Sequence, residues 1–312
     1  MTALLRPSPA QAQDEASPTR IEFLKYGSKA TTVAVSGNGT YIAIGARDVP
    51  TGGSRAVLWN RVTQEPVWTA SYSTNEAPRV ALDSTGTRTA VATPRTGVTI
   101  WHLDSSRTTL TQAPSGPVHE LAFGPRGILG LGGSLRQGGT ARVWPNGLSR
   151  TPSDLETTGP IRSIAFSATT PKVLLSSNDT HVTLWNYRFN TTKRIDVYDR
   201  CRGLVRQVEM PTRPTFFYVI TRRRAECDPD YLCTIRLEDK TVIDRFRRKN
   251  ISNVEHIRDG LVAFSRGRYV YTLDLQRRKE QIVFTSENKV HDLSYAAGHL
   301  VVANSNVVVL DL

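Results

Sequence analysis

One phrase recurs seven times along this chain: an alternating apolar segment, a turn, a second apolar run, a polar turn, and a third run that in the first four copies closes near a tryptophan. Its clearest copy reads Ile161-Arg-Ser-Ile-Ala-Phe-Ser167, Lys172-Val-Leu-Leu-Ser-Ser177, then Val182-Thr-Leu-Trp-Asn186. Matching segments begin at Ala30, Ala77, Val118, Ile161, Val205, Val254 and Val290. The repeat length is therefore about 40 residues, the size of one four-stranded propeller blade. A unit this small cannot bury both faces of its sheet alone, so the repeats must stack on one another.

Each unit reads as strands. In Val118-His-Glu-Leu-Ala-Phe123 and Val290-His-Asp-Leu-Ser-Tyr295 the apolar residues occupy positions one, four and six. That is a period of two with one extra residue early, the signature of a β-bulge. Turns are marked by Ser36-Gly37-Asn38-Gly39, Ser84-Thr85-Gly86 and Gly124-Pro125-Arg126-Gly127, where Gly and Asn accept positive φ. Four of the five tryptophans, Trp59, Trp101, Trp144 and Trp185, end the third run of units one to four. Large rings at one repeated position are expected to fill the gaps between neighbouring blades.

The phrase Gly159-Pro-Ile-Arg-Ser-Ile-Ala-Phe-Ser followed by Val182-Thr-Leu-Trp-Asn resembles the WD40 repeat. Trp-Asn or Trp-His stands where that family has Trp-Asp, no unit opens with Gly-His, and Asp179 alone matches the family's turn aspartate. The resemblance runs through units one to four and continues as pattern alone in units five to seven. It implies an all-β, seven-bladed propeller over residues 18–312, behind a tail of residues 1–17. It also implies a non-enzymatic scaffold or adaptor that binds proteins through its faces and tunnel mouth. In the family the second residue of each first strand lines that mouth. Carried over position by position, the ring is Thr31, Pro78, His119, Arg162, Arg206, Glu255 and His291. Two guanidiniums beside an imidazole, at Arg206, Arg162 and His119, form a fork for an acidic or phosphorylated peptide.

Closure gives an independent expectation. After Asn306-Val-Val-Val-Leu-Asp-Leu312 the seventh unit lacks a fourth strand, and Thr19-Arg-Ile-Glu-Phe-Leu-Lys-Tyr26 lies unassigned before unit one. Pairing the two would close the ring and remove an exposed edge. Residues 1–17 carry Ala, Pro, Ser and Gln without periodicity and read as disordered. Ala10-Gln11-Ala12-Gln13 imitates a signal-peptidase site, but only Leu4 and Leu5 precede Arg6 and Pro7, too little for an apolar signal core.

The remaining composition narrows the function classes. No apolar run approaches the ~18 residues of a membrane-spanning helix. Three cysteines favour a reducing compartment over a stapled secreted scaffold, so the expected location is intracellular, cytoplasmic or nuclear. Asn38, Asn178, Asn190 and Asn250 head N-x-S/T sequons, against about two expected by chance, and they carry no weight. Cys227 and Cys233 bracket five residues in unit five, either as a local disulfide or metal clip or as two thiols flanking a hairpin. No nucleophile elbow, phosphate-binding loop or H-E-x-x-H occurs, and His119-Glu120 is followed by Leu-Ala-Phe. The expectation is no catalytic residue, no metal site and no cofactor, with a tunnel-centred enzyme as one alternative.

Charge defines a further alternative. The formal charge is +12, and residues 188–289 hold 23 Lys and Arg against 14 Asp and Glu. The clusters are Arg222-Arg223-Arg224, Arg245-Phe-Arg247-Arg248-Lys249, Arg266-Gly-Arg268 and Arg277-Arg278-Lys279. Together they outline a basic flank on units five and six. It would suit nucleic acid, or it would serve only to keep outer strands from pairing with other chains. The chain is expected to act as a monomer inside a larger complex.

Overall fold

A computed structural model describes residues 18–21, 28–93, 97–110, 116–135, 137–145, 151–177, 179–211, 215–222 and 230–312. The expected tail, residues 1–17, lies outside these, as do Arg223, Arg224 and Cys227. The strands form seven four-stranded antiparallel sheets arranged as the blades of a ring. Blade one comprises Ser28–Val35, Tyr41–Asp48, Gly53–Asn60 and Glu65–Tyr72. The first strands of blades two to seven are Arg79–Leu82, Val118–Phe123, Ser163–Phe166, Leu204–Glu209, Ile251–Arg258 and Asp292–Ala296. These starts fall within three residues of the repeat boundaries read from the sequence.

The core is divided in a way only a closed ring explains. Seven apolar clusters occur, one at each blade boundary. Ile21, Val33, Ile44, Trp59, Val301 and Val309 join blades one and seven, and Val182, Val205, Phe217 and Ile235 join four and five. Trp144 packs between blades two and three and Trp185 between three and four. The tryptophan at the end of each third strand therefore packs back onto the preceding blade. In blades five to seven the same register position holds Ile235, Leu273 and Leu310, opposite Phe217, Val262 and Leu300.

The residue after this position shapes the next turn. Asn60 Oδ1 accepts the backbone N–H groups of Val62 and Thr63, Asn186 Oδ1 those of Arg188 and Phe189, and Asp274 Oδ1 those of Gln276 and Arg277. Side-chain acceptors of this kind replace a backbone turn bond, which explains why Asn serves where Asp is the more familiar residue.

The inner strand of each blade has one edge with no ladder partner, and buried backbone groups there need other acceptors and donors. Neighbouring blades supply them. Asp292 Oδ2 and Ser294 Oγ accept from Val33 N and Val35 N at 3.0 and 3.1 Å. Gln207 clasps Val254 twice, Nε2 donating to its carbonyl and Oε1 accepting from its N–H, both at 3.0 Å. Thr32 Oγ1 donates to the Pro78 carbonyl at 2.9 Å. The fourth strand of blade seven is Thr19–Ile21, running antiparallel to Val307–Asp311, so the N-terminal segment closes the ring as expected.

The cysteines differ from the sequence reading. Cys233 is bonded to Cys201, with Cα atoms 6.3 Å apart, so the local Cys227–Cys233 link is not formed. Strand alternation turns Cys233 inward to the boundary of blades four and five. There the short helix Tyr198–Cys201, which carries the chain between those blades, delivers its last residue. Both cysteines are fully buried. Mass spectrometry of unreduced protein should recover a peptide linked through Cys201 and Cys233, and Cys233→Ala should cost about 3 kcal/mol. Recovery of a 227–233 link would contradict this pairing.

Candidate functional site: the arginine mouth and acidic tunnel

The first strands surround a central cavity of about 390 Å³ to which all seven blades contribute. Its mouth is built by β-bulges. Register shifts between Ala30 and Thr32, Val118 and Glu120, and Val205 and Gln207 leave Thr31, His119 and Arg206 as the extra residues. Arg162 N and His291 N donate to Ser176 and Ala303, the partners of the residues that follow them, which repeats the arrangement in blades four and seven. A bulge turns its extra side chain away from the regular alternation, here around the mouth.

Blade six departs from the expected ring. Its shift lies between Ser252 and Val254, so the bulged residue is Asn253, with φ of 51°. Glu255 sits two residues further along the strand, paired in register with Ala263 and facing the cavity. The strand begins at Ile251, three residues before the apolar position that marked the repeat.

At the mouth His119 is wedged between two partners. Its Nε2 lies 2.5 Å from Ser134 Oγ, and Arg162 Nη1 donates to its Nδ1 at 3.2 Å. Burial first, then the charges of Arg162 and Arg79, push the imidazole down to about 4, so it is neutral and carries its proton on Nε2. His119 thus orients Arg162 and adds no charge. Arg206 is exposed, and its proton affinity is lowered by partial burial and then by the nearby charges of Arg222 and Arg162. Arg222, assigned to the flank by sequence, belongs to this corner. Its Nε is 3.5 Å from Oδ1 of Asp230, a carboxylate only 3% exposed. Burial also lowers His291, assisted by Lys289 and Lys29.

Below the mouth the wall is acidic. Glu120, Glu209, Glu255 and Asp292 all face the cavity, with Arg79 among them. Burial pushes Glu120 and Glu209 up to about 8, and Asp292 to about 6. Glu255 is raised well above the ordinary glutamate value by burial and then by the charges of Glu209 and Asp292. Asp292 is the least affected, since Val33 and Leu293 donate backbone bonds to it and Arg79 lies near. These groups hold protons more tightly folded than unfolded. Folded protein therefore binds more protons between the ordinary glutamate value of 4.5 and about 8, and their contribution to stability declines as pH rises through that window. Glu120→Gln and Glu209→Gln should each raise the melting temperature at pH 9 by a few degrees and leave it nearly unchanged at pH 4. Equal effects at the two pH values would contradict this electrostatic account. Among the described residues, no three His, Cys, Asp or Glu side chains are placed to hold a metal ion.

The basic flank lies on the outer strands Val242–Arg248 and Lys279–Thr285 and their turns. Most of its charge is engaged. Arg248 reaches Glu280 at 3.0 Å and stacks 4.3 Å from the Phe246 ring centre, while Arg278 reaches Asp244 at 2.5 Å, each pair bridging blades five and six. Arg277 pairs with Asp274, Arg266 with Glu280, and Arg245 and Arg268 lie over Tyr231 and Tyr269. Arg247 and Lys249 are exposed.

The acidic wall and the place of Arg222 were missed by sequence reasoning. A signal existed: in His119-Glu120 and His291-Asp292 an acid directly follows a mouth residue. No family model matches the chain, and none of the curated proteins does.

Proposed function

We propose that this protein is a non-enzymatic, WD40-like scaffold, acting as a monomer within a larger complex, which holds a protein partner at its tunnel mouth. The observation that carries the reading is the corner of Arg162, Arg206 and Arg222, exposed on two adjacent blades and answered by one near carboxylate, Asp230. Blades are structural, whereas residues at bulges and loops vary freely and commonly serve recognition. The engaged arginines of the flank favour edge protection there over a continuous nucleic-acid track. Affinity capture with the wild type and with the Arg162→Glu/Arg206→Glu double variant tests the reading. The double variant should keep its melting temperature and lose the partner that the wild type captures. Capture of the same proteins in the same amounts would dismiss the mouth as the binding site.

The tunnel carboxyls give some support to a second reading, catalysis inside the tunnel, because strongly shifted acids cluster at reactive sites. Under it, Glu120→Gln or Glu209→Gln would abolish a turnover that the Arg162→Glu variant retains.

A further inference from the structure

We infer that the corner formed by Arg162, Arg206 and Arg222 binds a phosphomonoester dianion, presented as a phosphoserine or phosphothreonine of a protein partner. This rests on the mouth being the partner site and specifies what the mouth reads. The Arg206 guanidinium, at the blade-five bulge, lies close enough to Arg162 of blade four and Arg222 of blade five to be repelled by both, and Asp230, paired with Arg222, is the acid that offsets them. His119, neutral between Ser134 and Arg162, adds nothing to the balance. The corner is thus left with two uncompensated positive charges. A carboxylate would neutralise one of them, whereas a phosphomonoester brings nearly two charges and three acceptor oxygens.

The donors are also positioned in advance. Arg162 is tethered through His119 to Ser134, and Arg222 is tethered to Asp230. Arg206 lies near both, with no hydrogen bond or ion pair from its guanidinium among the described residues. Planar guanidinium forks held this way match phosphate oxygens in pairs. A nucleic acid fits less well. Its phosphodiesters carry one charge each along an extended track, and the flank arginines that would continue such a track are largely paired.

Titrating the full chain with phenyl phosphate, phenyl sulfate, benzoate and a single-stranded oligonucleotide tests the inference. Phenyl phosphate should bind at least tenfold tighter than phenyl sulfate or benzoate at pH 7.5. Its affinity should rise between pH 5 and 7.5 as the second phosphate proton leaves near pH 6, while that of the sulfate stays level. Arg206→Ala should weaken phenyl phosphate about tenfold, Arg206→Lys should recover part of the loss, and Arg247→Ala on the flank should change nothing. Equal binding of the three small anions, tighter binding of the oligonucleotide, or an equal loss in Arg247→Ala would overturn the phosphate site. Phosphatase treatment separates this inference from the scaffold reading. A partner that needs Arg162 and Arg206 but ignores phosphatase leaves the scaffold standing and removes the phosphate. One that ignores both removes both, and one released by phosphatase and by the double variant supports both.

Discussion

Deleting residues 18–27 should convert the protein from a cooperatively folding monomer into an aggregating one. Ile21, 1% exposed, packs with Val307, Val309, Ile42, Ile44 and Trp59 at the seam where the ring closes. Its strand is the outer partner of Val307–Asp311. Without it, Val307-Val-Val-Leu310 becomes an open, uncharged edge of high β propensity, which is a template for pairing with other copies. The deletion also removes one face of the blade-one cluster. Ile21→Ala is the gentler version, with an expected cost of about 2–4 kcal/mol. Arg20→Ala should cost far less, since the pair Arg20 makes with Glu287 at 3.7 Å is exposed. A deletion variant that stays monomeric with an unchanged melting temperature would show that the ring does not depend on this seam.

The second large effect belongs to Trp185. It is fully buried between blades three and four, edge-on to Tyr187 at 6.4 Å, and its Nε1 donates to Asn190 Oδ1 at 3.0 Å. Replacement by Ala removes the largest fully buried side chain of the protein and opens a cavity between blades that the rigid ring cannot close, so about 3–5 kcal/mol should be lost. Trp101 is half-buried and stacked 4.9 Å from Trp68. Trp101→Ala should therefore cost roughly half as much. Chemical denaturation at neutral pH ranks the two, and a smaller loss at Trp185 than at Trp101 would contradict the assigned packing.

The blades were legible because each must present the same apolar face to its neighbour, and the tryptophans marked that face in blades one to four. In blades five to seven Ile235, Leu273 and Leu310 fill the position. The gap still needs an apolar side chain, though not an indole, so only the pattern survived there. Register within a strand was harder to read. In blade six Val254 imitates the apolar start of a repeat, although the bulge lies at Asn253. The error moved Glu255 from the tunnel wall to the rim. Asn253 offered a cue, since Asn tolerates the left-handed conformation it adopts.

The charges could not be placed from local sequence. Glu120, Glu209, Glu255 and Asp292 are far apart in the chain and meet only because four blades bring their inner strands to one axis. Arg222 looked like part of a basic run, yet its register opposite Leu204 sets it beside Arg206. The Cys201–Cys233 link has the same origin. It joins a helix between blades to a strand 32 positions away, while the spacing drew attention to the nearer Cys227. What sequence reveals well here is the repeated requirement of packing. What it conceals is the convergence around the axis.

Hydrogen exchange on the complex with a captured partner tests the central claim most directly. Binding at the mouth should slow exchange in peptides covering 118–123, 161–166 and 204–209, and leave 242–249 and 279–285 unchanged. Slowed exchange confined to those outer strands of blades five and six would place the partner on the flank and contradict the account.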